Sequence, residues 1–156
     1  MTRFPSRLAF AIGLSGGAGR SPVWPGTVGA VVGLPLAYAV GFAPLAVQIA
    51  VYAGVFVIGT WASAGVARET GEEDPQIVVI DETFGAAVTC ATLPLDPLWW
   101  LAGFLAFRFF DIVKPWPVRY LQDRVKGGFG IMLDDAGAAA QAILLLWLAR
   151  LALEAL

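Results

Sequence analysis

Long apolar runs alternate with short polar segments along the chain. The apolar runs cover about residues 27–40, 45–67, 77–93, 98–110 and 136–156. Glycine, proline or charged residues separate them. The run at 45–67 has no charged residue and approaches the roughly 20 residues that a membrane helix needs. The pattern therefore predicts an all-α protein, a multi-helical integral membrane bundle with about four to five apolar segments.

The first 26 residues are basic and rich in glycine, serine and proline. Pro22, Pro25 and Gly26 predict a loop before the first apolar run. Glycine ends the short apolar stretch after Arg7 too early for a signal peptide, so we expect this segment to be retained. No repeat or domain boundary is evident, and the length suits a single domain over residues 1–156.

Composition strengthens the membrane prediction and excludes several functions. Hydrophobic residues make up 58% of the chain and charged residues 14%, which is more apolar than an ordinary soluble domain. The formal net charge of −2 gives no support for nucleic-acid binding. The absence of histidine excludes Ser-His-Asp hydrolases, histidine-nucleophile phosphatases and histidine-ligated zinc. Cys90 stands alone, so the chain has neither an internal disulfide nor a cysteine metal motif.

The distribution of basic residues predicts the orientation of the bundle. If the five runs cross in alternating directions, nine of the ten Lys and Arg residues lie on the starting side and only Arg150 lies elsewhere. By the positive-inside rule that side is the cytoplasm. This threading gathers the segment GGAGRSPVWPGTVG, the pair Asp81–Glu82 and the stretch 108–135 at the cytoplasmic end. The shorter runs also fit a re-entrant placement or packing inside the bundle.

The stretch 108–135 concentrates charge between two apolar runs. Arg108, Asp111 and Lys114 follow at intervals of three, so a helix would present them on one face. Pro115 is expected to stop that helix. A tight backbone path is then predicted from Gly127, Gly128 and Gly130. Asp134 and Asp135 are expected to head the next helix.

The charged residues of these segments suit phosphate chemistry assisted by a metal ion. Without histidine or a usable thiol, oxygen ligands favour Mg²⁺ or another hard divalent cation. Arg108 and Lys114 would hold the phosphate charge. Water activated by the metal or one of the aspartates would be the nucleophile, and the absence of an Asp-x-Asp pair favours water. The candidate metal ligands are Asp81, Glu82, Asp111, Asp134 and Asp135.

Each feature also has a simpler interpretation. Asp81 and Asp134 are candidates for helix N-caps, and the glycines for turn residues. The basic residues after position 113 would then only set topology. Arg108 and Asp111 would form a structural ion pair in an apolar setting.

Four blocks of the sequence resemble, in order and spacing, the signature blocks of the phosphatidylglycerophosphatase A family. The resemblance covers nearly the whole chain, and its second half is the more specific because the KPWP and GGxGIMxDD blocks rarely coincide elsewhere. Ala18 and Ala30 stand where the family usually has small hydroxyl residues, and Arg20 replaces an apolar residue. The blocks are Gly17–Ala30, Asp81–Gly85, Arg108–Pro117 and Gly127–Asp135.

The resemblance implies an all-helical enzyme of the bacterial inner membrane that removes the terminal phosphate of phosphatidylglycerophosphate with Mg²⁺, giving phosphatidylglycerol. The family's acidic motif residues fall on Asp81, Glu82, Asp111, Asp134 and Asp135, of which all but Glu82 are candidate catalytic residues. Its basic motif residues fall on Arg108 and Lys114, and Thr27 matches the threonine of the N-terminal block. Arg20 is a further candidate contact to the phosphate.

Three other interpretations compete with this one. A non-enzymatic cation-binding or transport protein would need ionisable groups along the membrane depth, whereas here they cluster at segment ends. Phosphotransfer from a nucleotide-activated lipid usually uses more aspartates along its helices. A soluble helical domain conflicts with the uncharged run at 45–67. The sequence indicates no oligomeric state.

Overall fold

The computed structural model describes residues 3–155, with side chains from residue 6 onward. This part of the chain contains seven α-helices and no strand, which confirms the all-α prediction. A short 3-10 helix, Ser15–Arg20, follows the first of them. The helices are α1 (Arg3–Gly13), α2 (Pro25–Gly41), α3 (Leu45–Thr70), α4 (Ile80–Ala91), α5 (Pro97–Val113), α6 (Val118–Arg124) and α7 (Gly127–Glu154).

The N-terminal segment is more ordered than the predicted loop. Helix α1 packs against α3 through small residues: a Cβ on Gly65 would lie 2.8 Å from the Cβ of Ala9. The expectation of a loop is correct only for the stretch between the 3-10 helix and α2. Glycine and proline content outweighed the amphipathic pattern of α1 in the sequence-based prediction.

Two helices, α3 and α7, are long and apolar enough to cross a membrane. In the most apolar 18 residues of each helix, only 11% of α3 and 22% of α7 is buried inside the protein. Their apolar side chains therefore face mainly outwards, which a helix in the core of a soluble protein would not do. Helix α3 matches the predicted apolar run at 45–67.

Helix α4 forms the centre of the bundle. Its 12 residues span about 18 Å, short of the roughly 30 Å hydrocarbon core of a bilayer. Most of its side chains are buried, so the run at 77–93 packs inside the bundle. Helix α2 lies against it closely, because a Cβ on Gly33 would stand 2.3 Å from the carbonyl oxygen of Thr83. The Thr83 hydroxyl oxygen also lies 2.8 Å from the carbonyl oxygen of Gly29.

Helix α7 begins nine residues before the predicted apolar run at 136–156. The expected tight backbone path occurs at Gly127, the first residue of the helix, whose φ is 74°, but the glycines after it lie inside the helix. Asp134 and Asp135 lie about two turns inside the helix instead of heading it. The glycines serve close helix packing: a Cβ on Gly128 would stand 2.1 Å from the carbonyl oxygen of Thr60 on α3. The N-cap interpretation of Asp134 is therefore wrong. It is also wrong for Asp81, since Val79 precedes α4 as its N-cap residue.

Candidate active site

Four helices meet around one cavity of about 480 Å³, and three of them, α4, α5 and α7, bring charged residues to it. The first turns of α2 and α4, the last turns of α5 and the first third of α7 line it. The loop between α3 and α4 completes the wall with Asp74, Pro75 and Gln76. The cavity thus unites segments that are far apart in sequence.

Three carboxylates in the cavity lie close enough to share a cation. Asp81 and Glu82 stand in the first turn of α4, and Asp135 projects from α7. One oxygen from each lies within 4.8 Å of the others. Each residue also has a buried carboxylate oxygen that has no hydrogen-bond partner in the described part of the chain. Buried unpartnered oxygens of like charge are costly, so this cluster fits a hard divalent cation.

The electrostatics of the cluster support the same conclusion. Burial raises the pKa of Asp81 well above its usual value, and the neighbouring charges of Glu82 and Asp135 raise it further. Burial also raises the pKa of Glu82. A bound cation would reverse this effect, because it stabilises the ionised carboxylates.

Arg108 stands between the cluster and the end of α5. Its Nη1 atom donates a hydrogen bond to Oδ2 of Asp111 at 2.5 Å and lies 3.9 Å from Oε1 of Glu82. This confirms the predicted common face for Arg108 and Asp111, whereas Lys114, predicted on the same face, lies just beyond the helix as its C-cap residue. The Nε–H group of Arg108 is buried and has no partner among the described residues. The guanidinium therefore keeps a donor for a ligand such as a phosphate oxygen.

Lys114 and Asp134 form the second ion pair of the cavity. Lys114 ends α5 as its C-cap residue in the left-handed conformation, with φ of 47°. Its Nζ donates a hydrogen bond to Oδ2 of Asp134. Burial alone would lower the pKa of Lys114, but the hydrogen bond and charge of Asp134 outweigh it and raise that pKa. The other oxygen of Asp134, Oδ1, is buried and unpartnered.

The five predicted metal ligands thus fall into two groups. Asp81, Glu82 and Asp135 form the compact cluster. Asp111 and Asp134 are instead paired with Arg108 and Lys114. Sequence spacing could not separate the two groups, because the pairing depends on how α5 and α7 approach each other.

The start of α2 lies directly beside the carboxylates. A Cβ on Gly26 would stand 2.2 Å from Oε1 of Glu82 and 3.2 Å from Nη2 of Arg108. The first backbone hydrogen bond of the helix runs from the N–H group of Val28 to the carbonyl oxygen of Trp24. The N–H groups of Gly26 and Thr27 come before it and therefore have no acceptor within the helix. Thr27, a predicted substrate-binding residue, lines the cavity.

Arg20 does not line this cavity. It lines a different one of about 460 Å³ beside α1, together with Arg7 and Glu69. Conversely, Trp24 and Asp74 line the carboxylate cavity, although the sequence analysis assigned them no role. Trp24 lies in one of the sequence blocks that resemble the family, whereas Asp74 lies in the charged segment between the apolar runs at 45–67 and 77–93.

Carboxylates that suit a hard cation, next to basic groups that suit a phosphate, define an all-helical phosphatase. The chain belongs to the phosphatidylglycerophosphatase A family, whose sequence profile matches residues 11–150. This confirms the resemblance seen in the sequence blocks. No solved structure matches the chain.

Three curated relatives extend this assignment. The phosphatidylglycerophosphatase A of Escherichia coli K12 is 37% identical over 131 residues, which cover 82% of this chain and 76% of that protein. That of Haemophilus influenzae is 36% identical over 125 residues, covering 80% and 75%. A protein of Bacteroides thetaiotaomicron named as a putative phosphatidylinositol-3-phosphatase is 36% identical over 154 residues, covering 94% and 96%.

Proposed function

We propose that the chain hydrolyses the terminal phosphomonoester of phosphatidylglycerophosphate to phosphatidylglycerol and phosphate, with Mg²⁺, at the cytoplasmic face of the bacterial inner membrane. The observation that carries the proposal is the cluster of Asp81, Glu82 and Asp135 beside the unpartnered Nε–H of Arg108. Two relatives bear the name of this activity.

In this proposal Asp81, Glu82 and Asp135 hold the metal. Their unpartnered oxygens are the ligand type that Mg²⁺ prefers. When bound, the ion supplies positive charge that neutralises the phosphate oxygens and favours attack on phosphorus. Water is the proposed attacking group, because the chain has no Asp-x-Asp pair of the kind that phosphatases with an aspartate nucleophile use.

In this proposal, basic groups and backbone donors beside the carboxylates hold the phosphate. Arg108 offers its free Nε–H, while Asp111 fixes the orientation of the guanidinium. The N–H groups of Gly26 and Thr27 and the positive end of the α2 dipole add attraction for an anion. During hydrolysis the water oxygen bonds to phosphorus, the bond from phosphorus to the glycerol oxygen breaks, and that oxygen takes up a proton.

Asp134 and Lys114 orient one another across α5 and α7. Asp134 lines the cavity and keeps one buried oxygen, Oδ1, without a hydrogen-bond partner among the described residues. We assign Lys114 to binding the charged phosphate and Asp134 to holding the Lys114 side chain in position. The loss of either residue would therefore weaken substrate binding and turnover together.

The membrane placement rests on the outward-facing apolar surfaces of α3 and α7. Cysteine labelling tests it, because the single native cysteine, Cys90, is buried. Phe42→Cys and Glu72→Cys place exposed thiols beyond the two ends of α3. In intact cells an impermeant reagent should label position 42 and not position 72. Labelling of both positions would refute a membrane-crossing α3.

The substrate is tested by phosphate release from the purified protein in detergent. We expect Mg²⁺-dependent release from phosphatidylglycerophosphate and none with a chelator. Phosphatidylinositol 3-phosphate is the second substrate to compare, because the relative that aligns with nearly the whole chain carries that name. A higher kcat/KM for the inositol lipid would replace the proposed substrate while keeping the site. Release from neither lipid by folded protein would refute the proposed function.

A further inference from the structure

Helices α2 and α5 border the cavity without packing closely on each other. Trp24 at the start of α2 and Ile112 at the end of α5 both line it. At the opposite end of the two helices, the rings of Tyr38 and Trp100 meet with centroids 6.4 Å apart. Between these points α2 packs mainly on α4 and α5 packs on α7 and α4, so that the two helices hardly contact one another. They run antiparallel, and a seam between them leads to the cavity.

The outer face of α5 is apolar along its whole length. Exposed apolar side chains recur every three to four residues and form one stripe on the helix. The stripe ends at Ile112, which is 70% exposed although it lines the polar cavity. Its members are Leu98, Leu101, Leu105, Phe109 and Ile112.

Helix α2 carries a matching apolar face. Val28, Val31 and Val32 are exposed, and Trp24 is 76% exposed where the helix begins. Trp24 also has a left-handed backbone, with φ of 48°, directly before Pro25. An aromatic ring held at the edge between an apolar surface and a polar cavity is typical of a membrane interface.

We propose that Trp24 and Ile112 form a lateral entrance through which a diacyl lipid places its phosphate in the cavity while its acyl chains stay in the bilayer along the α2–α5 seam. This inference rests on the proposed function. It makes the two residues determinants of lipid specificity, since they contact the glycerol and proximal acyl carbons and not the phosphate. The continuity of the apolar stripes with the cavity wall selects the substrate lipid as the occupant of the seam.

The test compares a lipid substrate with its own head group. Trp24→Ala and Ile112→Ala are assayed on long-chain phosphatidylglycerophosphate in mixed micelles and on the deacylated, water-soluble phosphomonoester. Trp147→Ala and Ile49→Ala are matched controls, because both side chains are exposed on the outer faces of α7 and α3, away from the cavity. Thermal unfolding of each variant verifies that it is folded.

We expect the entrance variants to raise KM for the long-chain lipid about tenfold, the effect of losing part of one apolar side-chain contact. The ratio of kcat/KM for the lipid to kcat/KM for the head group should fall by the same factor, and the control variants should keep the wild-type ratio. Equal losses on both substrates, or equal ratios in entrance and control variants, would overturn the entrance.

A cross-linking experiment separates this inference from the proposed function. A phosphatidic acid with a photoreactive acyl chain is irradiated with the wild-type protein, and the labelled peptides are mapped. Labelling concentrated on residues 24–32 and 105–113 supports the entrance even if phosphatidylglycerophosphate is not hydrolysed. Labelling spread evenly over α2, α3, α5 and α7 contradicts it, even if hydrolysis is observed.

Discussion

A Cβ added to Gly26 would stand 2.2 Å from Oε1 of Glu82. The first turn of α2 thus touches the proposed metal cluster, and only glycine leaves this carboxylate in place. Because the clashing atom is at the end of a flexible side chain, Gly26→Ala should displace Glu82 and leave the fold intact. We expect activity to fall roughly tenfold to a hundredfold, as when a metal ligand loses its support. Phosphate release and thermal unfolding measure the two effects.

Gly54→Ala is the control for this substitution. Gly54 lies inside α3, and a Cβ there would meet nothing within 4 Å. This variant should retain full activity. Wild-type activity of Gly26→Ala would show that Glu82 is not required where the structure places it.

The ion pair between Lys114 and Asp134 should contribute to stability as well as to function. The Lys114 side chain is 23% exposed and that of Asp134 only 6%. Lys114→Met should lower the free energy of unfolding by roughly 3 kcal/mol, because it leaves a buried charge uncompensated. The double variant Lys114→Met/Asp134→Leu should recover most of this stability without recovering activity. Chemical denaturation in detergent and phosphate release provide the two readouts.

Lys126→Met is the matched control for the pair. Lys126 contacts Glu73 at 3.7 Å, but both side chains are exposed, so the loss should be at most about 1 kcal/mol. Equal destabilisation by Lys114→Met and Lys126→Met would contradict a buried pair in the cavity.

Arg108 and Arg20 should differ sharply as substrate contacts. Arg108→Lys removes the planar guanidinium and its free Nε–H, so kcat/KM should fall at least about tenfold, the value of one charge-assisted hydrogen bond. Arg20 lines the separate cavity beside α1, so Arg20→Ala should keep the wild-type KM. A raised KM for Arg20→Ala, with Arg108→Lys unaffected, would move the phosphate site to that second cavity.

Metal binding should be detectable without turnover. A ligand that binds only the folded state stabilises it by about 2.7 kcal/mol at a concentration of 100 times Kd. Mg²⁺ should therefore raise the Tm of the wild-type protein and not that of Asp81→Asn, which lacks one of the three clustered charges. An equal rise in both proteins would place the ion elsewhere.

The sequence predicted the helical class and identified the charged residues of the cavity apart from Asp74. The apolar run at 45–67 predicted α3 because length and lack of charge are local properties. The spacing of Arg108 and Asp111 likewise predicted a shared face, since helical periodicity alone determines it.

What the sequence could not supply depends on packing between helices. The glycines before Asp134 resemble a turn in the sequence. Gly128 nevertheless lies in α7, at a position where α3 approaches too closely for a side chain. The run at 77–93 forms the short helix α4, which packs inside the bundle and does not cross the membrane. Its burial depends on contacts with the neighbouring helices, which the local sequence does not show. The separation of Asp135 from Asp134, one clustered with carboxylates and one paired with Lys114, also requires the tertiary structure.

The most direct test of the proposed site is phosphate release by Asp135→Asn. Asp135 is 2% exposed and contributes an unpartnered oxygen to the cluster, so its amide variant should fold, insert into membranes and lose turnover of phosphatidylglycerophosphate at saturating Mg²⁺. Asp123→Asn, an exposed change on α6, should retain wild-type activity. Near wild-type turnover by folded Asp135→Asn would contradict the assignment of the carboxylate cavity as the active site.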